Sequence, residues 1–286
     1  MNNNSEIASQ ELTGIFERRE KKFLVEQQRL ESFLNKIHTH LTPDERGVTK
    51  VSSLYYDTPE NTLISRSLEK PVYKEKLRIR AYGEVSSDSI VFVELKKKFK
   101  GIVYKRRFGC ALNDSYAFMQ NGKGMSDTFL CSQEMQGQTM SDTTLAKRNY
   151  LEVKACKNRY RKLEPKMLIV TNRLALYTND GSGVRLTIDF QPCFDSQNLK
   201  LDSQAPHQSL IDEDVCILEI KSANALPMWM IEAMSEARIR PQSFSKYGHA
   251  FKISKEVNMA KGSEMAKSNV SGVYPKHARV KEVACV

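Results

Sequence analysis

Lys74–Tyr82 reads KEKLRIRAY, and its alternation decides the architecture. Successive side chains of an extended strand point to opposite faces, so Lys76, Arg78 and Arg80 share one face and Leu77, Ile79 and Ala81 the other. The stretches around it repeat the pattern. In IVFVELKKK (90–98), Glu94, Lys96 and Lys98 oppose Val91, Val93 and Leu95. IVYKRRF (102–108) sets Lys105 and Arg107 together, and LIVTNRLAL (168–176) sets Arg173 among apolar neighbours. VRLTIDF (184–190) opposes Arg185, Thr187 and Asp189 to Val184, Leu186, Ile188 and Phe190. CILEIKS (216–222) opposes Glu219 and Lys221 to Cys216, Leu218 and Ile220. Near the N-terminus, Arg18, Glu20 and Lys22 share a face.

A single charged strand face is ordinarily a solvated one. Seven together read differently, because twelve cations stand on them against four carboxylates, Glu20, Glu94, Asp189 and Glu219. Such an excess repels itself unless an anion neutralises it. Closure of about eight antiparallel strands into a barrel turns alternate residues into a lumen, leaving the apolar faces for helices to cover. The expected fold is therefore α+β, an eight-stranded antiparallel β-barrel tunnel with helices packed outside. Lys and Arg lining a lumen suit a polyanion, and a carboxylate among phosphates suits a divalent cation, Mg²⁺ or Mn²⁺. The basic faces carry almost no aromatic residues between their charges, which favours phosphate without bases over nucleic acid. Neither GxxxxGK[ST] nor GxGxxG after a strand occurs, so side chains must hold the phosphate.

Composition agrees. The 286 residues carry a net charge of +10, with 40% hydrophobic and 27% charged residues, enough to bury a core. No run of about 18 apolar residues suggests a membrane span. The opening MNNNSEIASQELTG does not read as a secretory signal. Six scattered cysteines without a CxxC pair argue against a zinc knuckle or a disulfide framework and for a reducing, cytoplasmic setting. The five histidines have no metal-ligand spacing. Residues 1–13 are expected to be a flexible N-terminus, 14–255 the tunnel domain and 256–286 a flexible tail. A helix is predicted over 27–41, closed by Pro43. The polar stretch 111–165 reads as an insertion with loop signals at Asn121-Gly122 and Gly124 and a helix near 142–157 capped by Ser141 or Asp142. A further helix starts near Pro227 and buries Met228, Ile231 and Met234 or their neighbours. Trp229, the sole tryptophan, is assigned to helix packing, and Tyr55-Tyr56-Asp57 to packing or turning.

VSSLYYDTPEN (51–61), YKEKLRIRAYG (73–83), VFVELKKK (91–98), GIVYKRRF (101–108), NRLALYTNDGSGVRLTID (172–189), LEIKS (218–222) and FSKYGHAF (244–251) carry a resemblance. In order and spacing they resemble the polyphosphate polymerase domain of the vacuolar transporter chaperone (VTC) complex, more closely its stand-alone prokaryotic relatives, within the CYTH-like triphosphate tunnel metalloenzymes. The resemblance spans roughly 14–252. It implies an eight-stranded tunnel, a nucleoside triphosphate with its phosphates inside, a divalent metal on a tunnel glutamate, and transfer of the γ-phosphate of ATP to polyphosphate or pyrophosphate. Lys22 then matches the basic residue of the first tunnel strand, Arg78 and Arg80 the phosphate-gripping pair, and Lys96 and Lys105 the lysines of the next two strands. Arg173 and Arg185 match the later arginines, and Glu219 the metal-binding glutamate followed by Lys221. Ser245 and Lys246 match the pair that closes one tunnel mouth. Lys76, Lys98 and Arg107 are added as substrate-binding residues, and Glu20 and Glu94 as further metal candidates that otherwise orient lysines.

The match is incomplete on the first strand. The tunnel triphosphatases carry ExExK there, whereas this face reads Arg18-x-Glu20-x-Lys22. That argues against a simple triphosphatase or adenylate cyclase. The chain carries no recognisable regulatory domain or membrane segment of the fungal kind, so any transport of product would need a membrane partner protein. The alternatives are a tunnel triphosphatase that uses water as acceptor, and a non-catalytic polyphosphate-binding module.

Overall fold

The computed structural model describes residues 15–16, 19–100, 102–121, 140–203 and 207–268. The flexible-end assignments at 1–13 and beyond 268, the loop signals at Gly122 and Gly124, and Arg18 lie outside the described residues. In chain order the strands are β1 (Ile15–Phe16), β2 (Arg19–Glu26), β3 (Leu41–Asp57), β4 (Tyr73–Tyr82), β5 (Ile90–Phe99), β6 (Ile102–Ala111), β7 (Glu164–Thr178), β8 (Arg185–Asp195), β9 (Gln208–Ser209) and β10 (Val215–Ser222). The helices are α1 (Gln27–Ile37), α2 (Thr62–Leu68), α3 (Leu112–Asn121), α4 (Met140–Arg159), α5 (Met228–Glu236) and α6 (Lys246–Ser268).

All the strand pairs are antiparallel, in the order β1-β6-β5-β4-β3-β7-β8-β10-β2, with β9 paired to β8 alone. Among the described residues nine strands lie on this path and β9 makes a tenth; β1 and β9 are two residues each, so the eight longer strands match the expected number, and the hydrogen-bonded order does not return on itself. The two edge strands, β1 and β2, are consecutive in the chain. The sheet is nevertheless curled. Lys96 on β5 pairs with Glu20 on β2 at 3.6 Å, although β4, β3, β7, β8 and β10 separate the two strands along the sheet.

Curling places one face inside and one outside, as the period-two pattern requires. Outside, Leu77, Ile79, Val91, Val93, Leu95 and Phe108 pack against Phe118, Tyr150 and Val153 of α3 and α4. The charged outward residues also dock α4, because Lys97 and Arg106 hold Glu152 at 3.1 and 2.7 Å. Round the wall, Phe23, Leu186, Ile188, Leu218 and Ile220 meet Leu30, Phe33 and Met230 of α1 and α5. Each such buried side chain contributes roughly 1.5–3 kcal/mol of transfer free energy.

Several sequence expectations need correction. The first helix stops at Ile37, a 3₁₀ turn covers His38–His40, and Pro43 lies inside β3. Its missing N–H is tolerated because the β3–β7 register breaks between Pro43 and Val48, where Gly47 takes φ +57°. Helix α4 begins at Met140, so Ser141 and Asp142 lie inside its first turn rather than before it. On α5 the buried side chains are Met230, Ala233 and Met234, while Met228 and Ile231 face solvent. The presumed tail from Glu256 continues α6 to Ser268.

Candidate functional site: a cation-walled bore closed by α6

The inner faces of the strands carry the charges. Across β4 and β5 the register sets Lys76 opposite Lys96, Arg78 opposite Glu94 and Arg80 opposite Phe92. Lys105 of β6 faces Lys96, and Tyr55 and Ser53 of β3 face Arg78 and Arg80. On the other wall Arg173 faces Asp189, Thr187 faces Glu219, and Glu219 faces Lys22.

The four inward carboxylates gather the cations into nodes. Glu94, only 1% exposed, takes Arg78 at 2.7 Å, Lys105 at 2.8 Å and Arg80 at 3.7 Å. Burial opposes its ionisation, but Arg78, Arg80 and Lys105 outweigh burial and hold the carboxyl well below the usual range. Asp189 accepts both Arg173 Nε and Nη2, at 2.6 and 2.8 Å, and also Lys246 Nζ. Glu219 takes Lys221 at 2.6 Å and Lys22 at 3.4 Å, and Lys22 is shared with Glu20 at 3.3 Å. The four carboxylates therefore serve as ion-pair partners. Each organises two or more cations.

One end of the bore is closed by the start of α6. Lys76 Nζ donates to Ser245 Oγ at 2.9 Å, and Tyr247 stacks on Tyr55 at 4.5 Å with its hydroxyl donating to Asp57 at 3.1 Å. Ile64, Met167, Ile169, Phe194 and Ala250 pack around this plug. The preceding loop is pinned by Gln242 N–H to Lys22 C=O at 2.8 Å.

The electrostatics are those of crowded positive charge. Burial lowers the pKa of Lys76, Lys96, Lys105 and Lys246, in each case against the pull of a neighbouring anionic or ionisable group, with Lys76 reaching about 8. Lys22 goes the other way, because Glu219 and Glu20 outweigh its burial. Burial would push the Tyr55 phenol up, but Arg78, Arg80 and Lys76 bring it down to about 7.

The bore thus brings together Lys22, Lys76, Arg78, Arg80, Lys96, Lys105, Arg173, Lys221, Ser245, Lys246, Glu20, Glu94 and Glu219. Arg185 joins the same wall opposite Lys221; its guanidinium lies 5.0 Å from the centre of the Tyr177 ring and its buried Nε has no hydrogen-bond partner. Lys98 and Arg107 are both exposed, Lys98 level with Lys74 and Arg107 level with Glu94. Sequence reasoning placed Asp189 on the charged face but gave it no role, and it did not place Tyr55 and Ser53 beside Arg78 and Arg80; Asp57 holds the start of α2, in keeping with its assignment to packing or turning. Sequence reasoning also missed Tyr82 and Phe92, which contradict the expectation of a face nearly free of aromatics.

Among the described residues no cluster of three or more His, Cys, Asp and Glu side chains converges on a metal position. Glu20 and Glu219 come nearest. They share Lys22; burial and the Glu219 carboxylate act to raise the pKa of Glu20, but Lys96, Lys22 and Lys221 outweigh them and hold it below the usual carboxylate range. Two ionised carboxylates completed by phosphate oxygens and water fit Mg²⁺ or Mn²⁺. Glu94 fits less well, since three cations already occupy it.

A curled antiparallel sheet with a basic bore, plugged by a helix start, defines a basic-tunnel protein. The profile of the VTC domain matches residues 17–255, and the chain belongs to that family. No curated protein matches the chain by sequence. Among solved structures it is similar to a proposed adenylate cyclase from Vibrio parahaemolyticus, at 13% identity over 82% of this chain and 97% of that one, TM-score 0.40. A proposed adenylate cyclase from Bacillus halodurans is 11% identical over 80% and 96%, TM-score 0.43. A proposed adenylyl cyclase from Hippeastrum, reported with a dominant triphosphatase activity, is 12% identical over 80% and 92%, TM-score 0.39.

Proposed function

We propose that the chain is a metal-dependent phosphotransferase that extends inorganic polyphosphate with the terminal phosphoryl group of ATP inside the bore. The observation that carries this is the electrostatic deficit. Lys76, Lys96, Lys105 and Lys246 face one bore, with Lys96 and Lys105 still partly open to solvent, and burial lowers the pKa of each despite nearby anionic or ionisable partners. A linear polyanion supplies the missing negative charge along the whole length.

Arg78 and Arg80 present planar guanidiniums suited to two-point contact with phosphate oxygens. Lys105 and Lys96 continue that grip toward the plug, and Arg173, Arg185, Lys22 and Lys221 line the facing wall. Lys246 and Ser245 meet the far phosphate. Phosphoryl transfer needs little covalent help from a protein, so the residues act by aligning donor and acceptor and by neutralising their repulsion. A divalent cation on Glu219 and Glu20 would neutralise phosphate charge as the leaving group departs.

The test is incubation of the full chain with ATP and Mn²⁺, followed by gel detection of polymer, for the wild type and for Arg80→Ala and Lys96→Ala. Long chains are expected from the wild type, with losses of roughly a hundredfold or more in the variants and little change in melting temperature. Orthophosphate as the sole product would assign the bore to hydrolysis. Binding that survives chelation without turnover would make it a polyphosphate-binding module.

A further inference from the structure

At the end of the bore away from α6, the inner face changes character. Beyond Arg80 on β4 comes Tyr82, and beyond Glu94 on β5 comes Phe92. Their rings meet edge to face at 5.9 Å. The Arg107 guanidinium lies 4.2 Å from the centre of the Phe92 ring, and Arg46 lies 6.0 Å from that of Tyr82; both arginines are exposed. On β6 the residue paired with Phe92 is Gly109, which adds no side chain beside the ring. The buried apolar side chains of these strands, among them Leu77, Ile79, Val91, Val93 and Leu95, pack in the core with α3 and α4, so two half-buried rings on the charged face are out of place as core.

From this juxtaposition we infer that Phe92 and Tyr82 form a stacking platform for the purine base of the nucleotide, with the Arg107 guanidinium as a second plane. The inference rests on the phosphate-tunnel reading. Two strand residues, about 7 Å, separate the Phe92 ring from the Glu94 node that positions Arg78 and Arg80, a spacing that a ribose can bridge between base and phosphate. A planar cation already lies on the Phe92 face at stacking distance, and a base can replace it or lie on its outer plane. Recognition by stacking needs no base-specific hydrogen bonds, so purines bind better than pyrimidines without strict selection. Inorganic tripolyphosphate, which has no base, gains nothing from the platform.

The experiment measures binding of ATP, UTP and inorganic tripolyphosphate to the full chain and to its Phe92→Leu and Phe92→Tyr variants. The expected result is that F92L weakens ATP on the order of tenfold, leaves tripolyphosphate unchanged and narrows the gap between ATP and UTP, while F92Y keeps wild-type behaviour. Equal weakening of ATP and tripolyphosphate in F92L, or no weakening of either, overturns the platform while leaving the tunnel intact. Failure of the wild type to bind either triphosphate overturns the tunnel reading and the platform with it.

Discussion

The Tyr247 hydroxyl donates to the Asp57 carboxylate at 3.1 Å, and this contact ties the start of α6 to the cap of α2. The same carboxylate accepts the backbone N–H groups of Thr58, Leu63 and Ile64 at 2.8, 2.8 and 2.9 Å. One fully buried side chain therefore holds both a helix N-terminus and the plug of the bore. Asp57→Asn keeps the shape but replaces an acceptor oxygen by a donor. A loss of on the order of 2–3 kcal/mol in chemical denaturation is expected, together with weaker phosphate binding as the plug loosens. Unchanged stability would detach Asp57 from the plug.

Lys246 reaches from the plug to Asp189, where Arg173 already makes a two-point contact. Lys246→Ala leaves Asp189 with Arg173, so the fold survives while the closed end loses its cation. Phosphoryl transfer is expected to fall about a hundredfold with the melting temperature lowered by only a few degrees. A variant with full turnover would remove the plug from the reaction.

Glu94 and Glu219 are assigned different work, and their glutamine variants separate it. Glu94→Gln leaves Arg78, Arg80 and Lys105 without their shared anion, an expected cost on the order of 3–5 kcal/mol. Added tripolyphosphate should recover much of that loss, since it supplies the missing charge. Glu219→Gln should instead raise the Mn²⁺ concentration needed for half-maximal activity. Titrating Mn²⁺ against turnover in both variants decides the matter; a shift in Glu94→Gln alone would reverse the assignment.

Tyr55 supplies the pH dependence. Its hydroxyl accepts Arg78 Nη1 at 2.8 Å, and Arg78, Arg80 and Lys76 outweigh burial to bring its pKa to about 7. The unfolded phenol titrates near ~10. Between these values the folded chain holds fewer protons than the unfolded one, so stability from Tyr55 grows as pH rises from about 7. It is complete above ~10 and lost as pH falls through the folded value. The melting-temperature difference between wild type and Tyr55→Phe should widen across this window. A difference that stays flat with pH would show that the Tyr55 phenol does not ionise there.

Much of the bore was legible in the chain. KEKLRIRAY, IVFVELKKK and CILEIKS alternate cleanly, because one face is wet or anion-facing and the other packs on helices. The VSSLYYD run of β3 hides its sidedness, since Val51 through Asp57 are all buried. Tyr56 joins the outer core and Tyr55 the bore, a division that hydropathy does not mark. Asp189 was visible as an anion on a basic face, but its role depends on Lys246, which arrives from 57 residues away. Phe92 and Tyr82 were passed over because each reads in isolation as an ordinary strand aromatic.

The order of residues along the chain determined the strands, their two faces and the sign of the inner one, because a period of two and a surplus of cations are local properties. What tertiary structure alone decided is enclosure. Curling brings Glu20 to Lys96 and seats α6 across one end, so that isolated charged faces become a single low-dielectric space. In that space neighbouring charges act on one another strongly enough to shift the protons of lysine and tyrosine, and no window of sequence contains that coupling.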